Sequence, residues 1–218
     1  MRPKPAFADR AEAGRALARA LAGYGGRDDV VVLGLPRGGV PVAAEVASAL
    51  GAVLDVLVVR KLGVPGHAEL AMGAIAAGGT QVLNDDVVRA LAIPESTLAA
   101  VTAREHEELE RRLRSFRGDR PFPETNDHVV ILVDDGLATG ATMRAAIAAV
   151  RSSNPERVVV GVPVAAPSTC RDLGHAADEV ICVRTPEPFV AVGQWYLDFD
   201  PPEDEEIRRL LSEGGESL

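Results

Sequence analysis

The most chemically loaded stretch of this 218-residue chain runs over residues 130–142. Four apolar residues, Val130-Ile131-Leu132-Val133, lead directly into Asp134-Asp135. Gly136-Leu137 follow, and then the small-residue turn Ala138-Thr139-Gly140-Ala141-Thr142. An ionised carboxylate only accepts hydrogen bonds and can take two or more, so two adjacent acids suit the hydroxyls of a ribose. A small-residue turn that opens a helix leaves N–H groups free, and Thr139 and Thr142 add hydroxyls that can surround a phosphate. The helix dipole contributes only about 0.3–1 kcal/mol, whereas each hydrogen bond to a charged group contributes roughly 1.5–3 kcal/mol. Several donors together must do most of the holding. Taken alone, the same pattern also describes a strand end with an acidic cap and a tight turn.

Two other loops carry charge after apolar runs. Leu35-Pro36-Arg37-Gly38-Gly39-Val40 is a glycine turn with one cation. Glycine permits the close approach and unusual φ values that a backbone N–H nest for an anion needs. The segment fits neither G-x-x-x-x-G-K-[ST] nor G-x-G-x-x-G, which disfavours a P-loop or a dinucleotide site. Arg60-Lys61 stand directly after a second apolar run and would face the mouth of a site at the strand ends. Residues 62–79 after them contain Gly63, Gly66, Gly73, Gly78 and Gly79, and read as a flexible loop with room for a weak hairpin, followed by a short strand at 80–83. Singly, either loop could be surface decoration.

The elements that must position these residues follow from periodicity. Continuous apolar runs at 30–35, 53–59, 128–133, 157–164 and 179–183 predict buried parallel strands. Helical spacing covers 9–24, 40–50, 139–153 and 169–176. Residues 85–91 predict a short helix and 94–116 a long charged one, with Leu98, Val101, Leu109 and Leu113 facing the core. The alternation predicts an α/β fold, a central mostly parallel sheet flanked by helices. The chain reads as a single domain, 1–218, with its core at about 28–183, a lid at 62–79, inserted helices at 84–118 and a small hood with a C-terminal helix at 184–214. In such sheets ligands bind outside the carboxyl ends of the strands.

Composition narrows the classes. Apolar residues make up 47% and charged residues 25%, an ordinary globular balance. A net charge of −9 argues against a nucleic-acid partner. No apolar run approaches the roughly 20 residues of a membrane span, and the expected location is cytoplasmic. Cys170 and Cys182 show neither C-x-x-C nor metal-ligand spacing, so reduced buried thiols are expected.

Residues 130–142 resemble the phosphoribosyl-diphosphate (PRPP) motif of type I phosphoribosyltransferases, with Gly136 where the pattern prefers an aliphatic residue. The three loops match the family in order and spacing over roughly residues 30–183. Arg60 to Gly66, Val133 to Thr142 and Gly193 to Phe199 resemble motifs of a bacterial group of predicted phosphoribosyltransferases. The resemblance implies a phosphoribosyltransferase-like, Rossmann-like fold. It also implies Mg2+-dependent transfer of 5-phosphoribosyl from PRPP to a nucleobase-like acceptor with release of pyrophosphate. Asp134, Asp135, Ala138, Thr139, Gly140, Ala141 and Thr142 would bind ribose 5-phosphate. Asp134 and Asp135 would also hold the metal through water, and Arg37, Gly38, Arg60 and Lys61 would bind pyrophosphate. Arg37 and Lys61 would stabilise the leaving group.

Some members carry an acidic base where this chain has Ala138. Glu69 in the lid is therefore the candidate base, with His67 second. Trp195 or Tyr196 could stack on the acceptor, or else plug the sheet edge. The basic run Arg111, Arg112, Arg114, Arg117 and Arg120 reads as a solvated helix face, or else as an oligomer contact or an arm reaching a neighbour's phosphate site, and a homo-oligomer is expected. A non-catalytic PRPP- or nucleotide-binding regulator on the same fold is the alternative. Hydrolysis at the same site is a third, without a G-x-S-x-G nucleophile to support it.

Overall fold

The structure is a computed structural model and describes residues 6–214, apart from the side chains of Ala68 and Glu69. Strands β1 (Val30–Gly34) and β6 (Val129–Val133) are buried at every position, as runs without a polar face require. They lie side by side in a five-stranded parallel sheet of order β2-β1-β6-β7-β8. The other strands are β2 (Val53–Val56), β7 (Arg157–Val164) and β8 (Glu179–Arg184). Gly34 pairs with Val133, so β1 and β6 end level and their loops emerge together.

Helices α1 (Arg10–Ala20), α2 (Gly39–Leu50), α5 (Ala141–Arg151) and α6 (Pro167–Leu173) flank this sheet. The side chain of Asp9 caps α1 by accepting from the Glu12 N–H, and Gly51 ends α2 in the left-handed region, φ +68°.

The lid region is more regular than a loop with a weak hairpin, while the strand expected at 80–83 is present. Strands β3 (Val59–Val64), β4 (His67–Ala76) and β5 (Thr80–Leu83) form a separate antiparallel sheet, with Lys61 opposite Ala74. Its glycines serve turns and close packing. Gly66, Gly78 and Gly79 have positive φ at the two reversals, and a β-carbon on Gly73 would stand 2.5 Å from the Val82 carbonyl oxygen. Leu62, Met72 and Ile75 bury its inner face.

Helix α3 (Asp85–Ala90) leads to α4 (Glu95–Arg117), which packs against β3, β4 and the last helix and buries Val101, Glu105, Leu109, Leu113 and Phe116. After β8 a short 3-10 turn spans Val192–Trp195, and α7 (Asp204–Gly214) closes the chain against α2, α4 and β2. Phe7 bridges to Tyr196, so the start of the described chain is tied to the hood.

The expected reduced thiols are corrected to a disulfide, Cys170–Cys182. The two cysteines are 12 apart in sequence. Cys170 on α6 comes within reach of Cys182 because α6 follows β7 and packs on β8, the partner of β7.

Candidate functional site

The loops after β1 and β6 meet at the carboxyl edge of the sheet. The Leu35 N–H donates to the Val133 carbonyl at 2.8 Å, which locks the two strand ends together. Gly38 and Gly39 then pass against the acid pair. A β-carbon on Gly38 would collide with Asp135 Oδ2, and one on Gly39 would stand 2.6 Å from the Val133 carbonyl and 2.9 Å from Asp134 Cα. The glycines are there because any side chain would displace the carboxylates. The Pro36–Arg37 peptide is cis.

The acids share this edge. Asp134 Oδ1 accepts from the Asp135 N–H at 2.8 Å, and Asp135 Oδ2 accepts from Arg10 Nε at 2.9 Å. Burial pushes Asp134 well above the usual carboxylate range, and the charge of Asp135 adds to the rise. Burial also raises Asp135, against the opposing pull of Arg10. Each acid keeps one oxygen outside these contacts.

Beyond them, Ala138 and Thr139 are exposed and Gly140 turns into α5 with φ +69°. Among the described residues, the N–H groups of Ala138, Thr139 and Gly140 meet no acceptor. Two outside contacts shape the turn: Thr169 Oγ1 donates to the Ala138 carbonyl at 2.5 Å, and Arg144 donates to the Thr139 carbonyl at 2.7 Å. The carbonyls are thus drawn away while the N–H groups stay open, the arrangement of an anion nest at a helix start.

Arg60, Lys61 and Thr142 line one cavity of about 490 Å³, together with Val101, Arg104 and Glu105 of α4. Lys61 is exposed on β3. Arg60 is engaged elsewhere: its Nε donates to Glu105 Oε2 at 3.0 Å, and Arg104 holds the other oxygen of Glu105 at 3.0 Å. Glu105 is 9% exposed, and burial works to raise it, but the two guanidiniums outweigh burial and hold it below its ordinary value. The guanidinium of Arg37 also has a protein partner, Asp204 at 2.9 Å. Sequence reasoning missed Arg10, Glu105 and Asp204. Only the fold brings them to these loops.

The hood separates the two aromatic candidates. Tyr196 is not available for stacking. It is 4% exposed, it stacks on Phe199 with centroids 5.0 Å apart, and its hydroxyl donates to the Asp135 carbonyl at 2.6 Å. It is part of the plug, and burial raises its hydroxyl pKa. Trp195 is partly exposed, but its Nε1 is buried with no partner among the described residues. Glu69 falls on β4, with its side chain outside the described residues, and His67 is exposed at the start of the same strand.

Among the described residues no group of three His, Cys, Asp or Glu side chains could by itself hold a metal ion. No helix there is long and apolar enough to cross a membrane.

Comparison with known proteins agrees with this layout. Residues 7–200 match the family model described as "Phosphoribosyl transferase domain". The chain is 49% identical over 205 residues to the Mycobacterium tuberculosis protein named "Putative phosphoribosyl transferase Rv0571c", covering 94% of this chain and 46% of that protein. It therefore spans less than half the length of that relative. The crystal structure of TT1426 from Thermus thermophilus superposes with a TM-score of 0.83 at 45% identity, covering 95% of this chain and 98% of that one. The chain belongs to the phosphoribosyl transferase domain family.

Proposed function

We propose that this chain transfers the 5-phosphoribosyl group of PRPP to a nucleobase-like acceptor, releasing diphosphate. The observation that carries the reading is the meeting of the Ala138–Thr139–Gly140 turn, the Asp134-Asp135 pair and the Gly38-Gly39 loop at the level ends of two adjacent strands. The turn holds the 5-phosphate through its open N–H groups and the hydroxyls of Thr139 and Thr142. The free oxygens of Asp134 and Asp135 accept from the ribose hydroxyls. Their negative charge favours the cationic sugar that forms as the bond to diphosphate breaks. Lys61, Arg37 and the Gly38 N–H stabilise the departing diphosphate, once Arg37 leaves Asp204.

The donor set fits Mg2+ carried in with the substrate. Mg2+ keeps several waters and takes one or two carboxylates plus phosphate oxygens, and the acid pair offers two unengaged oxygens. Bound there, it would neutralise diphosphate charge. The acceptor proton falls to Glu69 or His67 on β4, since Ala138 has no acid to offer.

The test is diphosphate release from PRPP and Mg2+ across a panel of nucleobases. Release with at least one base supports the reading. PRPP binding without release from any base supports a second reading, a PRPP- or nucleotide-binding regulator. The engagement of both Arg37 and Arg60 by acids favours that alternative.

A further inference from the structure

A second cluster of cations shares Arg37 with the first loop and adds groups from α4 and α7 that the reading above does not use. A cavity of about 280 Å³ is lined by Arg37, Arg111, Arg112, Ser115, Phe116 and Asp204. We propose that Arg37, Arg111, Arg112 and Ser115 form a diphosphate subsite that Asp204, the first residue of α7, occupies in reserve. The ligand class rests on the function proposed above.

Three observations carry it. The first is the coordination of Asp204. One oxygen lies 2.9 Å from the Arg37 guanidinium, and the other accepts from Ser115 Oγ at 3.1 Å. A guanidinium and a hydroxyl on two oxygens of one anion is how a phosphate is held. The fit is imperfect. The Asp204 Oδ1 bound by Arg37 is shielded from solvent, yet the contact is too poorly aligned to be a hydrogen bond. A tetrahedral group with more oxygens satisfies the same donors better.

The second is charge. Arg111 and Arg112 share a single carboxylate, Glu108, at 2.7 and 2.8 Å. Counting Asp204, three guanidiniums face two carboxylates in a chain whose net charge is −9. Glu108 holds Arg111 above its ordinary value, and Asp204 adds to this, which places both acids within electrostatic reach of one guanidinium.

The third is position. Ser115 lies one turn beyond Arg111 and Arg112 on α4 and shares their face. Arg37 precedes Gly38, which touches Asp135. The cavity therefore begins one residue from the glycine that packs against the acid pair. Its fork-shaped donors match phosphate oxygens in pairs. Entry of diphosphate exchanges one anion for another, so Asp204 leaves and the Arg37 guanidinium pairs with diphosphate in its place.

Calorimetry on the full chain tests this with inorganic diphosphate, inorganic phosphate, PRPP and ribose 5-phosphate. Asp204→Asn is expected to tighten diphosphate and PRPP about tenfold, the worth of one charge-assisted hydrogen bond. Arg111→Gln with Arg112→Gln is expected to weaken both by about tenfold or more, on the same scale. Ribose 5-phosphate affinity stays constant in both variants. Ser115→Ala, which removes one hydroxyl, gives a smaller loss in the same direction, and thermal unfolding without ligand confirms that each variant is folded. Ribose 5-phosphate binding with diphosphate affinity identical in every variant overturns the subsite. Equal responses of phosphate and diphosphate overturn the diphosphate assignment. If PRPP and ribose 5-phosphate fail to bind the unaltered chain while diphosphate follows the expected pattern, the proposed function fails and the subsite stands.

Discussion

Arg10 donates to Asp135 at 2.9 Å across a sequence separation of 125 residues, and both side chains are nearly closed to solvent. The same guanidinium lies 4.1 Å over the Phe199 ring and donates to the Asp200 carbonyl. One cation from the first helix thus ties the acid pair to the hood.

Replacing it tests that tie. Arg10 opposes the rise that burial imposes on Asp135, so Arg10→Gln pushes the carboxylate higher still. The acids must be ionised to accept from hydroxyls, so ligand affinity falls as pH drops through the folded-state values. In the unaltered chain this acid limb lies above the ordinary aspartate range of about 3.9. In Arg10→Gln it moves to higher pH. A pH series of PRPP affinity checks this, and an unmoved limb refutes it. The variant also strands a carboxylate, with a stability loss toward or below the lower end of the roughly 3–5 kcal/mol seen for fully buried pairs.

Asp134→Asn should separate stability from function. A carboxylate whose folded-state pKa is raised costs stability once pH exceeds the unfolded value, and the cost is complete above the folded value. The amide does not ionise. Its thermal midpoint therefore rises relative to the unaltered chain as pH climbs above the unfolded value of about 3.9, by roughly 2–4 °C for each kcal/mol relieved in a domain of this size. PRPP affinity falls about ten- to a hundredfold, the range expected from losing a charge-assisted hydrogen bond. Melting curves and calorimetry read the two effects independently.

Gly140→Ala places a β-carbon at φ +69° and 2.7 Å from Thr169 Cγ2. The left-handed backbone costs about 1–2 kcal/mol for a non-glycine residue, and the contact adds to it. Affinity for ribose 5-phosphate should drop. Adding Thr169→Ala removes the contact but also the hydrogen bond to Ala138, so stability recovers in part while affinity does not. Full recovery of affinity would mean that the Thr169 bond does not shape the turn.

Glu105→Gln removes the charge that holds Arg60 and Arg104 between β3 and α4. Amide hydrogen exchange in residues 59–64 and 101–109 should quicken, with little change in the core strands. Freed from its partner, Arg60 should lower KM for PRPP at low ionic strength, and this gain should vanish with added salt. An unchanged KM would confine Arg60 to a structural strut.

The strand cores and the acid-to-threonine turn are legible in the sequence because each is written in consecutive residues. Apolar runs mark β1 and β6, and the turn follows without interruption. The lid is less legible. Its glycine count suggests flexibility, whereas Gly73 is small so that the facing strand can approach. Tyr196 suggests a stacking platform by its type alone, and only the fold shows it beneath Phe199 with its hydroxyl on the Asp135 carbonyl. Arg10, Glu105 and the Cys170–Cys182 bond leave no local signal. Each depends on elements that are neighbours in space through the order of the sheet.

That order has a consequence for how the molecule can vary. No residue between β2 and β6 belongs to a ladder of the five-stranded sheet. This excursion carries Arg60, Lys61, the small sheet and all of α4, and it leaves and rejoins the core beside β1. Lengthening, trimming or exchanging it alters what roofs the strand ends without shifting the register that sets Gly34 against Val133. The chain is therefore organised as a fixed grip with a replaceable cassette, and relatives can diverge in the second while preserving the first.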